Sequence, residues 1–208
     1  MEIGKWAFDD CKSLKEINIP TSLIKIEAGL FKGIPLENVE LPETLTEVGK
    51  EAFYGTKSFS LTSENYTLTL PVPSNRHKIE NDSCNKKIPQ FIIEKDLDKK
   101  WEIVASMKKA PLKHMLSVFM VLAYDHTAAK TYLKRSIKKA MQTFIDMQDV
   151  DFVTDVLSLG FVTMKNFDEI FAYLNAKQEG SYTEMKIVFL NYKHDHIGYQ
   201  TAAERFKL

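Results

Sequence analysis

Ile3, Ile26 and Val48 stand 23 and then 22 residues apart, and Phe8, Phe31 and Phe53 keep the same spacing. Five further pairs lie 22 apart: Leu14 and Leu36, Ile17 and Val39, Ile19 and Leu41, Pro20 and Pro42, Leu23 and Leu45. Cys11, Gly33 and Gly55 fall near the turn of each copy. A unit of this size cannot bury its own apolar face, so stacked neighbours must supply the core. Within a copy, Leu14-x-x-Ile17-x-Ile19-Pro20 alternates at period two. That pattern places apolar side chains on one face of a short strand, which the proline ends. The chain is therefore expected to open as a short β-solenoid of two full copies and part of a third. No polar cap stands before Ile3, which leaves an edge to be covered.

After Gly55 the period decays. Leu68-Thr69-Leu70-Pro71 echoes Val39-Glu40-Leu41-Pro42 at 29 residues, while 59–62 and 66–69 flank Ser63-Glu64-Asn65 as a closing hairpin. The array with its hairpin is thus read as residues 1–71. Residues 72–93, broken by prolines, asparagines and serines, read as a linker, with Cys84 exposed in it. From 94 to 208 the apolar period becomes 3.6, which marks an all-helical domain. Met115, Leu116, Phe119 and Met120 belong to a central helix. A long helix covers 128–147, and another is stopped by Gly160. Asn166-Phe167-Asp168-Glu169 and Ser181-Tyr182-Thr183-Glu184 have the form of capping boxes, with Gly180 turning a helical hairpin between them. The fold class expected is α+β: a short strand array followed by a helical, repeat-like domain.

The run Ile3-Gly4-x-x-Ala7-Phe8-x-x-Cys11-x-Ser13-Leu14-x-x-Ile17-x-Ile19-Pro20-x-x-Leu23-x-x-Ile26, with its partner Val48-Gly49-x-Glu51-Ala52-Phe53, resembles the BspA-like, treponemal-type leucine-rich repeat. The resemblance spans roughly Ile3 to Gly55. It implies that the Ala-Phe pair and the small residue after it are packing positions, with Cys11 a small buried residue. Asn166 to Lys193 is similar to degenerate ankyrin-like helix pairs, and Phe152, Val156, Leu157 and Leu159 align with Met185, Phe189, Leu190 and Tyr192 at an offset of 33. The Thr-Pro-Leu-His signature of ankyrin repeats is missing. Both resemblances imply a bacterial repeat scaffold without chemistry of its own.

The chain carries no nucleophile elbow, phosphate-binding glycine loop or His-Glu-x-x-His pair. No catalytic residue, metal or cofactor is assigned from it. Of the five histidines, His114 and His126 read as helix-edge residues and His77 as a linker residue. His194-Asp195-His196 could offer two metal ligands, which keeps an unrecognised enzyme or metal site there as an alternative. Asp149, Asp151 and Asp155 suit the first turn of a helix. The 28 Lys and Arg balance the 28 Asp and Glu, so no global field draws the chain to nucleic acid or an anionic membrane. Residues 101–148 nonetheless hold eight bases against three acids, and Lys130, Lys134, Arg135, Lys138 and Lys139 form a stripe on the long helix. The stripe lacks interleaved aromatics, which argues against nucleic acid.

The expected role is non-catalytic protein or peptide binding. Lys15, Glu16, Asn18, Glu37, Asn38 and Glu40 lie between the inward apolar positions and would form the contact face. Ile3 and Phe8 mark the uncapped edge, through which copies of the chain could pair into a homodimer. No stretch reads as a membrane span or a signal peptide. A cytoplasmic chain, or part of a longer surface protein, both fit.

Overall fold

The repeat period becomes a set of parallel ladders. In this computed structural model, which describes residues 2–9, 11–71, 83–177 and 182–198, β1 (Glu2–Ile3), β2 (Lys25–Ile26) and β4 (Glu47–Val48) pair in parallel, with Ile3 opposite Ile26 and Ile26 opposite Val48. A second sheet joins β3 (Val39–Leu41) to β5 (Ser58–Thr62) in parallel, and β5 to β6 (Thr67–Pro71) as the antiparallel hairpin the sequence foretells. The phenylalanines at the repeat spacing stack: Phe8 on Phe31 at 6.2 Å, Phe31 on Phe53 at 6.3 Å, and Phe53 on Phe59 at 4.9 Å between ring centres. Val39, Leu41, Phe59, Leu61, Leu68 and Leu70 are all buried, which is the inward half of the period-two pattern.

The first copy departs from expectation. Residues 14–19 form no strand, and among the described residues the one backbone bond from this stretch to its neighbour is the Glu37 N–H donating to the Lys15 carbonyl at 3.1 Å. Val39 and Leu41 have a copy on either side, whereas Leu14, Ile17 and Ile19 have one, so they stay half-buried and the ladder frays. Cys11 is exposed rather than a packed small residue. It follows Phe8 by three residues, while Gly33 and Gly55 follow Phe31 and Phe53 by two. The left-handed turn positions, with φ of +75° and +108°, therefore belong to those glycines, and Cys11 is out of register with them.

Part of the 72–93 stretch is helical. α1 (Ser83–Ile93) contains Pro89 and buries Phe91 and Ile92. The rest of that stretch, including His77, lies outside the described residues, as does the side chain of Cys84. α2 (Leu97–Ala105) and α3 (Ala110–Tyr124) follow, and α3 is buried along most of its length. Tyr66 meets Phe119 of α3 at 6.5 Å, and the Asn65 amide donates to the Ala123 carbonyl at 3.1 Å. The chain thus divides into compact units at Met1–Ala129 and Lys130–Leu208, within the long helix α4 (Thr127–Asp146), and not at the proline-rich stretch. The first three helices fold with the strands because Phe91 and Phe119, 6.2 Å apart, share an apolar cluster with Leu41 and Leu61.

The second unit holds α5 (Val150–Ser158), α6 (Met164–Asn175) and α7 (Tyr182–Tyr192), which continues into a wider π-helical turn, Lys193–Ile197. Asp149 caps α5 by accepting the Phe152 N–H at 2.9 Å, and Gly160 follows the helix with φ +67°. The N-cap of α6 stands three residues before the expected one. Thr163 is its N-cap, and the Asn166 side chain accepts the Thr163 N–H at 2.8 Å, so Asn166 occupies the third helical position. The second expected capping start at Ser181 and the Gly180 turn lie outside the described residues. α7 packs on both α5 and α6, with Met185, Phe189 and Tyr192 buried and the Tyr192 hydroxyl donating to the Val162 carbonyl at 2.7 Å.

Candidate interaction surface

Glu40, Ser60 and Thr69 lie opposite one another across β3, β5 and β6, on the face away from the buried Leu and Phe side chains. Hydrogen bonds fix this face. The Asn38 amide donates to Ser60 Oγ at 2.8 Å, the Ser58 hydroxyl donates to Asn38 Oδ1 at 2.9 Å, and Ser60 and Thr69 share a bond of 2.9 Å. Ser60 is only 2 % exposed because Asn38 and Thr69 bracket it. Lys57 binds Glu37 at 2.7 Å, an exposed pair that contributes little to stability but holds the Glu37 carboxylate in place. Lys15, Glu16, Asn18 and Glu40 are exposed, so of the six expected contact residues Asn38 alone is half-buried.

A groove of about 350 Å³ runs beside this face, lined by Ile19, Thr21, Glu40, Pro42, Glu43 and Thr44 among others. Its wall is braced by Thr44, whose hydroxyl donates to the Thr21 carbonyl at 2.6 Å and the Leu23 carbonyl at 2.8 Å. Sequence reasoning did not single out Glu43 or Thr44, because neither sits at a recurring apolar position. On the neighbouring sheet, Lys25 bonds Glu27 at 3.0 Å and Glu47 at 3.1 Å, and these two carboxylates, Glu27 foremost, raise the Lys25 pKa. Lys25 therefore remains cationic wherever the face can be used.

The basic stripe is partly engaged within its own unit. Lys138 pairs with Glu169 at 2.8 Å, and Lys134 lies 5.3 Å over the Phe161 ring. Lys130 is half-buried, and Arg135 and Lys139 are exposed. At the end of the same helix, burial works against the charge of Asp146. The bonds from Lys177, at 2.7 Å, and from the Tyr173 hydroxyl, at 2.8 and 2.9 Å, nonetheless hold its carboxyl below the usual range. His114 and His126 are buried rather than at helix edges. His126 faces Asp98 at 3.2 Å and accepts the Ala129 N–H at 3.3 Å through its other ring nitrogen.

His194 and His196 are both exposed. His194 bonds Asp195 at 2.7 Å, and His196 stacks on Tyr192 at 4.7 Å, so the two rings are used separately. Among the described residues, no group of three or more His, Cys, Asp or Glu side chains could hold a metal ion. Among them, too, no helix is long and apolar enough to cross a membrane.

A family model described as the BspA type leucine-rich repeat region (6 copies) matches residues 1–97. Residues 1–97, just under half of the chain, thus carry a region similar to BspA-type leucine-rich repeats. The match takes in the stacked strands, the hairpin and α1, so the leucine-rich repeat region reaches beyond the copies legible from spacing alone. No curated protein and no solved structure matches the chain.

Proposed function

We propose that the chain is a non-catalytic protein-binding module whose leucine-rich repeat strand face takes a basic, extended segment of a partner protein. The observation that carries this reading is the chemistry of one continuous patch. The carboxylates of Glu16, Glu37, Glu40 and Glu43 border a face of Asn and Ser/Thr side chains, next to a groove of about 350 Å³. Carboxylates at the rim steer and orient a cationic partner, while fixed amide and hydroxyl groups read its backbone. The helical second unit, with its ankyrin-like spacing, adds a further scaffold in this reading. Its exposed Arg135 and Lys139 suit an acidic protein surface rather than nucleic acid.

The test is a titration of the full chain with two fluorescent extended peptides, one alternating Lys or Arg with Thr and Val, the other with Glu in place of the bases. The basic peptide is expected to bind at least about tenfold more tightly at low salt, and to lose that advantage in the Glu40→Lys, Glu43→Lys variant. Equal binding of the two peptides, or a double variant that binds the basic peptide as well as the parent, would overturn the proposal.

A further inference from the structure

Lys100 is 7 % exposed, and among the described residues no carboxylate or carbonyl oxygen accepts a bond from its ammonium. Its Nζ lies instead 4.5 Å from the centre of the Phe91 ring and 5.9 Å from that of Tyr124. On one side is a small cavity of about 30 Å³, walled by Leu41, Leu61 and Phe119, with room for a single water. On the other is an open cleft of about 170 Å³, lined by Glu43, Ile92, Glu94, Lys95, Leu97 and Tyr124. The polar groups of that cleft are mostly committed. Glu94 Oε1 accepts the N–H groups of Lys95 and Asp96 at 3.0 Å each, and the Lys95 ammonium donates to the Glu43 carbonyl. The Tyr124 hydroxyl donates to Glu43 Oε1 at 3.3 Å. What remains is an amine facing the cleft, with a phenol and its carboxylate beside it.

We propose that Lys100 is a carbonyl-binding amine that holds a small uncharged aldehyde in this cleft as an imine. The Nζ lone pair forms a bond to the carbonyl carbon, and the π pair moves to oxygen, which takes up a proton. A second proton then releases that oxygen as water while the C=N bond forms. The two N–H protons lost balance the two gained by oxygen, and nothing is oxidised or reduced. Water in the open cleft can carry those protons, and the Tyr124 hydroxyl, bonded to Glu43, lines the same cleft. The occupant is uncharged because the carboxylates of Glu43 and Glu94 offset the ammonium groups of Lys95 and Lys100 and leave no net positive charge in the cleft to hold an anion. It is small because about 170 Å³ falls short of the ~300 Å³ of drug-sized sites. Supporting the assignment, burial first and the nearby Lys95 second lower the Lys100 pKa to about 8, against the opposing pull of Glu43 and Glu94. At pH 7 that leaves about one molecule in ten with a free amine, against about one in three thousand for an ordinary lysine.

The test is reductive alkylation of the full chain with propionaldehyde and cyanoborohydride at pH 7, mapped lysine by lysine by mass spectrometry after chymotryptic digestion. Lys100 is expected to react at least about tenfold faster than its exposed neighbour Lys99, with its rate half-maximal near pH 8. Lys100 reacting no faster than Lys99 would overturn the proposal. Glyoxylate, an anionic aldehyde, should label Lys100 several-fold more slowly than propionaldehyde, and the reverse order would overturn the class of occupant.

Discussion

A lysine closed in by Phe91 and Tyr124 makes stability depend on pH in a definite direction. Below about pH 8, Lys100 is charged in both the folded and the unfolded chain, and the cost of burying that charge is present in full. Between about pH 8 and the ordinary lysine value of 10.5, the unfolded chain holds a proton that the folded chain has released, so stability rises with pH. The full span corresponds to roughly 3 kcal/mol. Above pH 10 the gain is opposed by Tyr124, whose hydroxyl is pushed up to about 12 by burial first and Glu43 second, so that the unfolded chain ionises earlier there. Urea unfolding at pH 7, 8, 9 and 10 should therefore show stability rising across the window. Lys100→Met, which removes the titrating group and fills its space, should flatten the curve between pH 8 and 10. A parent chain with no rise over that window would contradict the assigned burial. None of this was legible in the sequence, where Lys100 is one of a run of charged residues at 98–100 and looks like a solvated face. What buries it is Phe91, which stands in a segment too rich in proline and asparagine to read as helix.

At the level of elements, the stacked copies were legible wherever an apolar residue has a neighbour on both sides, as Phe31 and Val39 do. They were illegible at the margins. The strand expected over 14–19 does not form, and Leu14, Ile17 and Ile19 stay half-buried. α1 escaped notice because Pro89 costs a helix interior about 3 kcal/mol, a cost that burial of Phe91 and Ile92 at about 1.5–3 kcal/mol each can offset only in the folded unit. The start of α6 was misplaced by three residues because Thr163 and Asn166 cap it together, and a sequence alone shows two polar residues able to serve as N-cap. The dependence on neighbours gives a paired prediction. A Cβ on Gly49 would lie 2.3 Å from the Ala28 nitrogen of the preceding copy, a backbone atom that cannot yield without shifting the ladder, while a Cβ on the equivalent Gly4 meets nothing within 4 Å. Gly49→Ala should cost about 2 kcal/mol or more in denaturant unfolding, and Gly4→Ala less than about 0.5 kcal/mol. Equal costs would mean that the copies do not stack as closely as the ladder requires.

Over the whole molecule, the balance of charge removes any long-range attraction, so what the chain associates with is decided by local faces. The first copy presents one such face. β1 pairs with β2 along one edge, and among the described residues nothing pairs with its other edge, beside which Trp6 is 45 % exposed and Phe8 half-covered. An unpaired parallel edge is a template for another strand. The homodimer expected from the sequence would bring the β1 and Phe8 of two copies together at this contact. Light scattering across a concentration series should then show the mass rising from monomer towards dimer. Ile3→Asp, which puts a charge on the contact strand, should hold the chain monomeric without lowering the stability of the remaining copies. If instead a further repeat precedes Ile3 in a longer chain, that repeat supplies the missing strand, and in that longer chain Ile3→Asp would buried-strand fashion cost stability while leaving the mass unchanged. A monomer at every concentration in the present chain, unaltered by Ile3→Asp, would exclude the edge as an interface and leave the acidic strand face as the surface on which the proposed binding has to be sought.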